Sequence, residues 1–392
     1  MLSKSNHVLS FAKDLHSILG KQVLVENRKF VQILTLNRPK QLNVLSSYMV
    51  SRLLELFLAY EQDPGVRLII LKGNGRAFCA GGDLASPFQR ITQGDWRLGA
   101  DYFWKEYNLN YVIRTYDKPQ VSILNGIVMG GGAGVSVHGR FRVATENTVF
   151  AMPETASGLF PDVGASYFLS RLPGFFGEYL GLTGARLGGA EMLACGLATH
   201  FVPSVRLPLL EEELCKTFLN DAACVSQIIA KYAEKPALNK KSAYHQVDII
   251  NKCFSRGTVE EVLSSLEIEA AKKNDDWISL AIQSLKKASP TSLKITLRSI
   301  RDGRLQGIDQ CLVREYRMIC HVIRGDISRD IFEGVRAMLI DKDKNPKWEP
   351  SQLDLVTDSM VDGYFSRVDD KGWEDLKLPS RTNYPPSTLA KL

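Results

Sequence analysis

Two carboxylates, Glu154 and Asp162, lie eight positions apart in the stretch AMPETASGLFPDVG, residues 151–164. Every other residue there is Ala, Met, Pro, Thr, Ser, Gly, Leu, Phe or Val, so nothing positive stands between the acids. A poorly solvated carboxylate is a competent base or nucleophile. The same residues also suit a loop whose acids cap the next helix. Two glycine clusters, GRAFCAGGDL (75–84) and NGIVMGGGAGVSVHG (125–139), add a second ingredient. Neither has the Gly-x-Gly-x-x-Gly spacing or the Gly-Lys-Ser/Thr of a phosphate loop. Backbone N–H groups from two such turns, converging on one carbonyl oxygen, would form an oxyanion hole. Tight turns or close helix–sheet packing would use the same glycines. A third acid, Glu106, lies in DYFWKEYNLNYVIRTY (101–116), with Phe103, Leu109 and Ile113 on its helical face. On an apolar stripe an acid needs a partner or ligand, or else sits at the edge with its head in water.

Regular elements must carry these residues. VQILTL (31–36) alternates, while VRLIILKG (66–73) and QVSILNG (120–126) are nearly continuous apolar runs. All three read as strands, the last two as buried parallel ones. SSYMVSRLLELFLAYEQD (46–63) has helical spacing, with Ser46 or Ser47 as N-cap. Strand, helix and strand in alternation imply an α/β fold of βαβ units. After about residue 205 helical patterns take over, as in LPLLEEELCKTFL, TVEEVLSSLEIEAAKK and ASPTSLKITLRSIRDG, the last opening near a Pro and closing at a Gly. The chain thus divides into an N-terminal extension (1–21), an α/β core (22–205), a helical region (206–375) and an extended, mobile tail (376–392).

Bulk composition narrows the function. The 392 residues are 45% hydrophobic and 23% charged, as in ordinary globular chains. The net charge of +6 is spread evenly, which argues against nucleic acid as a partner and suits a small polyanion. Seven cysteines without a Cys-x-x-Cys pair predict free thiols in a reducing compartment. Six histidines form no metal-binding spacing, so no metal site is expected. No apolar run nears the roughly 18–20 residues of a membrane span, so no stable membrane insertion is expected. Residues 1–20 hold two Lys, two His and Asp14 but no Arg, which fits a frayed helix better than a mitochondrial presequence. The terminal Ala390-Lys391-Leu392 is similar to the peroxisomal Ser-Lys-Leu address. It predicts a peroxisomal import receptor as partner, with the mitochondrion as the alternative location.

NRPKQLNVLS, GRAFCAGGDL, NGIVMGGGAG and MPETASGLFPDVG, in that order, resemble the crotonase (enoyl-CoA hydratase/isomerase) superfamily. Within it, the closer likeness is to the branch that hydrolyses 3-hydroxyisobutyryl-CoA in valine catabolism, in its plant peroxisomal form. The resemblance runs from about residue 22 to the end of the chain. It implies a spiral of βαβ units followed by helices, and an acyl-CoA substrate with no separate cofactor. It also implies amides of Gly82 and Gly131 as the oxyanion hole, and Glu154 and Asp162 as catalytic acids. Glu106 is implied to contact the substrate 3-hydroxyl, and the loop Gln41, Leu42, Asn43 and Leu45 to lie near the CoA adenine. Enoyl-CoA hydratases carry a second glutamate where this chain has Gly134, so addition of water to a C=C bond is disfavoured. A crotonase-fold isomerase or decarboxylase, or a non-catalytic acyl-CoA binding protein, is the alternative. The superfamily often forms trimers, so a homo-oligomer is a further expectation.

Overall fold

The computed structural model describes residues 20–83, 91–216, 221–272 and 275–381. Among the described residues, ten strands form two sheets. β1 (Val23–Arg28), β2 (Val31–Leu36), β3 (Leu68–Gly73), β5 (Gln120–Leu124), β7 (Phe141–Ala144) and β10 (His200–Phe201) lie side by side in that order. β1 runs antiparallel to β2, and the remaining pairs are parallel. β4 (Ala77–Cys79), β6 (Ile127–Met129), β8 (Val149–Ala151) and β9 (Leu187–Gly188) make the second sheet. β3, β5 and β7 are each followed directly by a short strand of the other sheet. That repeated step is the spiral.

The apolar runs are continuous because both faces of the larger sheet are covered. Ile69 and Leu71 join Leu34 and Leu36 in the main core. Leu68 and Ile70 join Val31 and Ile33 in a second core, roofed by Leu210 and Leu214 of the Leu207–Lys216 helix and by Val225 and Ile229 of the Ala222–Tyr232 helix. Each buried aliphatic side chain contributes about 1.5–3 kcal/mol before conformational entropy is charged against it. The Ser47–Gln62 helix starts at Ser46, whose Oγ accepts the Met49 N–H at 3.2 Å.

The helices after residue 205 do not stand apart. The main core runs from Val23 to Leu376 and includes Leu312, Met318 and Ile319 of the Ile308–Arg324 helix. The Pro290–Gly303 helix opens at its Pro, as its sequence suggests, and is N-capped by Ser289. Its terminal glycine serves packing: a Cβ at Gly303 would lie 2.0 Å from the Ser166 carbonyl. The tail differs from its expectation as far as Arg381. Residues 376–381 are irregular but fastened, because Arg381 pairs with Glu61 and donates from Nε to Thr115 Oγ1 at 2.9 Å. All seven cysteines are free thiols. No helix among the described residues is long and apolar enough to cross a membrane.

Candidate active site

Glu106 sits near the middle of the Trp96–Arg114 helix, which packs between the Ser47–Gln62 and Ile308–Arg324 helices. Residues 106–113 are all buried, so this stretch has no water-facing edge. The carboxylate is 1% exposed, and the reading of an acid with its head in solvent is wrong for that reason. Among the described residues its one hydrogen-bond contact is long: Tyr102 Oη stands 3.4 Å from Oε1.

Gly130 opens the short Gly131–Gly134 helix with φ +49° and ψ −123°, a conformation that glycine alone adopts readily. A Cβ there would also lie 2.9 Å from Glu154 Oε1. At Gly131 a Cβ would stand 2.5 Å from Glu106 Oε1 and 3.3 Å from the Gly82 nitrogen, so both turns and both acids meet at one point. Leu45 bridges Gly82 in parallel fashion: its N–H donates to Gly81 O and its carbonyl accepts from Asp83 N. In that pattern the Gly82 N–H points away from Leu45, free to serve the cavity.

Glu154 begins the 3₁₀ turn Glu154–Ser157 after β8. Its Oε2 is buried without a hydrogen-bond partner. Asp162 follows on a strained loop, where Val163 has φ +54°, a genuine outlier for a β-branched residue. Three contacts hold that loop. Tyr107 Oη donates to Asp162 Oδ2 at 2.7 Å. His138 Nε2 donates to the Val163 carbonyl at 2.7 Å. Glu315 takes the Gly164 N–H at 2.6 Å and the Ser166 N–H at 2.9 Å.

Glu106, Glu154, Asp162, Gly82 and Gly131 therefore line one cavity of about 120 Å³, walled by Phe103, Met129, Leu159 and Val163. No Lys, Arg or His is among its described lining residues. Burial pushes the Glu154 carboxyl well above the usual range, and the charges of Asp162 and Glu106 push it further. Glu106 is raised well up by burial and then by Asp162. Asp162 is pushed up to about 7 by burial, with Glu315 adding to the rise and the Tyr107 hydrogen bond opposing it. Three acids facing one space without a cation share protons near neutral pH.

The loop expected near an adenine divides in two. Gln41 is exposed and Leu42 half-buried. Asn43 is fully buried, its Oδ1 accepting from Arg38 N at 2.8 Å and its Nδ2 donating to the carbonyls of Asn74 and Ala77 at 2.9 and 2.8 Å. Leu45 is also fully buried. The Asn43 side chain ties the loop to Arg38 and to the segment 74–77, the Leu45 backbone ties it to the Gly82 turn, and neither side chain is exposed to an outside ligand. Ala390, Lys391 and Leu392 lie outside the described residues, as does the N-terminal extension over 1–19. Tyr107, Val163, His138 and Glu315 escaped the sequence reading. Only Tyr107 left a trace there: a tyrosine on a buried helix face needs a partner for its hydroxyl.

Position 134, where the resemblance puts a second acid in enoyl-CoA hydratases, is closed to one here. A Cβ at Gly134 would lie 2.7 Å from Val163 Cβ and 2.9 Å from Asn110 Nδ2, so no acid can be housed there without rebuilding the wall. Comparison with known proteins agrees with the frame. A family model for enoyl-CoA hydratase/isomerase matches residues 31–365. The 3-hydroxyisobutyryl-CoA hydrolase 1 of Arabidopsis thaliana is 68% identical over 371 residues, covering 95% of this chain and 98% of its own. The probable 3-hydroxyisobutyryl-CoA hydrolase 3 of the same plant is 66% identical over 363 residues, covering 92% and 96%. A crystal structure of a carnitinyl-CoA dehydratase from Mycobacterium thermoresistibile superposes with a TM-score of 0.82 at 36% identity, covering 91% of this chain and 98% of that one. With its paired glycine turns, its spiral of strands and these relatives, the chain belongs to the enoyl-CoA hydratase/isomerase, or crotonase, family.

Proposed function

We propose that this chain hydrolyses the thioester of 3-hydroxyisobutyryl-CoA to 3-hydroxyisobutyrate and CoA, a step of valine catabolism. One observation carries the reading: two partner-poor carboxyls, Glu154 and Asp162, face a small apolar-walled cavity beside the Gly82 and Gly131 turns. The names of the two plant relatives supply the acyl group. In this reading the thioester oxygen lies between the two amides, where losing one donor costs about 2.7–4 kcal/mol of transition-state stabilisation. Glu154 Oε2 is the attacking atom, since it is unpaired while Asp162 Oδ2 is held by Tyr107. Its attack forms a C–O bond, and the proton it carries passes to Asp162. The C–S bond breaks, and CoA leaves as a thiolate that needs little acid help, its pKa being roughly 8.5. Water then opens the mixed anhydride. Glu106 accepts the substrate 3-hydroxyl, and no cofactor is needed beyond the CoA of the substrate itself. A cavity of about 120 Å³ suits a short branched acyl group.

Thiol release across a panel of acyl-CoA esters tests this. Hydrolysis led by 3-hydroxyisobutyryl-CoA is expected; binding of the esters without thiol release would overturn it. Borohydride added during a single turnover should reduce an acylated Glu154, giving a mass change confined to its peptide. An unchanged peptide would move the attack to a water activated by Glu154. We place the enzyme in the peroxisome, on the strength of Ala390-Lys391-Leu392. Deleting those three residues should leave it in the cytosol, and unchanged import would send it elsewhere.

A further inference from the structure

We propose that Tyr107 is a positioning residue that keeps Asp162 in its ionised form, ready to take the proton released as Glu154 attacks. The inference rests on the hydrolase reading above and adds a residue to it. Tyr107 is fully buried, one residue after Glu106 in the Trp96–Arg114 helix. Its hydroxyl donates to Asp162 Oδ2 at 2.7 Å across 55 residues of sequence. The ring has little room to leave. Phe103 lies 5.9 Å away, and Tyr316 meets it edge-on at 6.4 Å and itself stacks on Trp373.

The surroundings of Asp162 otherwise oppose a charge. Glu106 on the same helix, Glu154 on the 3₁₀ turn and Glu315 on the Ile308–Arg324 helix all face it with acidity. His138, against the neighbouring Val163 carbonyl, is held neutral by burial, with its pKa lowered to about 4. No cation lines the described cavity. Among the described residues the Tyr107 hydroxyl is thus the one side-chain donor to this carboxylate, and a donor to an anion favours the anion. The phenol cannot surrender its own proton in exchange, because burial and the adjoining acids raise it far above its usual range. Glu154 has no such donor on Oε2. The asymmetry places the resting charge on Asp162 and the resting proton on Glu154. On attack the proton crosses from Glu154 to Asp162, which passes it on to the departing CoA sulfur. The water that opens the anhydride then leaves OH on the acyl group and its other hydrogen on Glu154, so the pair returns to its starting state.

Tyr107→Phe keeps the ring and deletes the donor. Its kcat/KM should fall at and below neutral pH and recover at high pH, with the acidic limb moved up by about one to two pH units. KM should change little. Carbonyl-carbon NMR of aspartate-labelled protein, with Asp162→Asn as the assignment control, should show the Asp162 titration moving up by the same amount. Site-specific 3,5-difluorotyrosine at 107, a stronger donor, should move both readouts down. If Tyr107→Phe does not fold, the fluorinated protein alone decides. An equal loss at every pH, or an Asp162 titration that does not move, would overturn the proposal. A wild type that releases no thiol would defeat the hydrolase reading while the NMR shift still reports on Tyr107.

Discussion

Two sets of buried acids occupy this molecule, and their partners differ. At the seam between the spiral and the helical region, Glu178 is completely buried, and Arg304 Nη2 holds both its oxygens at 2.6 and 2.8 Å. Glu315 takes two backbone N–H groups and the Ser166 hydroxyl. Asp330 accepts from Ser289 Oγ at 2.5 Å and Glu349 N at 3.0 Å. In the cavity, Glu106 has one long contact and Glu154 Oε2 has none. Burial is equal in the two sets, so burial does not mark the site. Missing partners do, because a buried carboxylate without donors is costly and persists only where something else uses it.

The sharpest break in this contrast is Glu154→Gln, which should lower the rate of CoA release by about 10²–10⁴-fold with little loss of stability. Circular dichroism melts beside the thiol assay check both halves. Next is Glu178→Ala in the structural set, expected to cost roughly 2–4 kcal/mol in denaturant unfolding. That is less than the full penalty for a fully buried pair, since Arg304 is one-third exposed and can rehydrate. Asp162→Asn should do the reverse. The folded state raises the Asp162 pKa, so it keeps a proton that the unfolded chain releases from about pH 4 upward. Native stability is therefore lost as pH rises through about 7. The variant should gain on the order of 2 kcal/mol at pH 8, with the gain vanishing below pH 4. A gain that was flat with pH would show that the folded state does not raise the Asp162 carboxyl. The smallest effect belongs to Tyr102→Phe, which deletes the 3.4 Å contact to Glu106 and a 3.2 Å bond to the Leu45 carbonyl. Its unfolding free energy should change by less than about 1 kcal/mol.

Local pattern in the sequence was enough to find strands, helices and the three acids. β3 is readable from LIIL because each residue of a doubly covered strand is apolar. Glu154, Asp162 and the glycine turns are visible as residue types out of keeping with their neighbours. What was not legible depends on contacts distant in the chain. Glu315 is one of two acids on its helix until Gly164 and Ser166, some 150 residues earlier, come to it. Asn43 reads as a polar loop residue; only the fold closes three backbone groups around it. Val163 is the last residue type to predict for a left-handed turn. The tail looked loose because nothing near Arg381 in sequence holds it, while Glu61 does so from 320 residues away.

The grip of the later helices on the catalytic loops has a genetic consequence. Ser289 N donates to the Thr155 carbonyl, and Glu315 clamps the turn after Asp162. All of the proposed chemistry lies before residue 165, yet two of its acids are aimed by residues after 285. A stop codon near residue 205 would spare every reacting group and still yield an allele without function. Missense changes at Ser289 or Glu315 would act as milder lesions of the same kind.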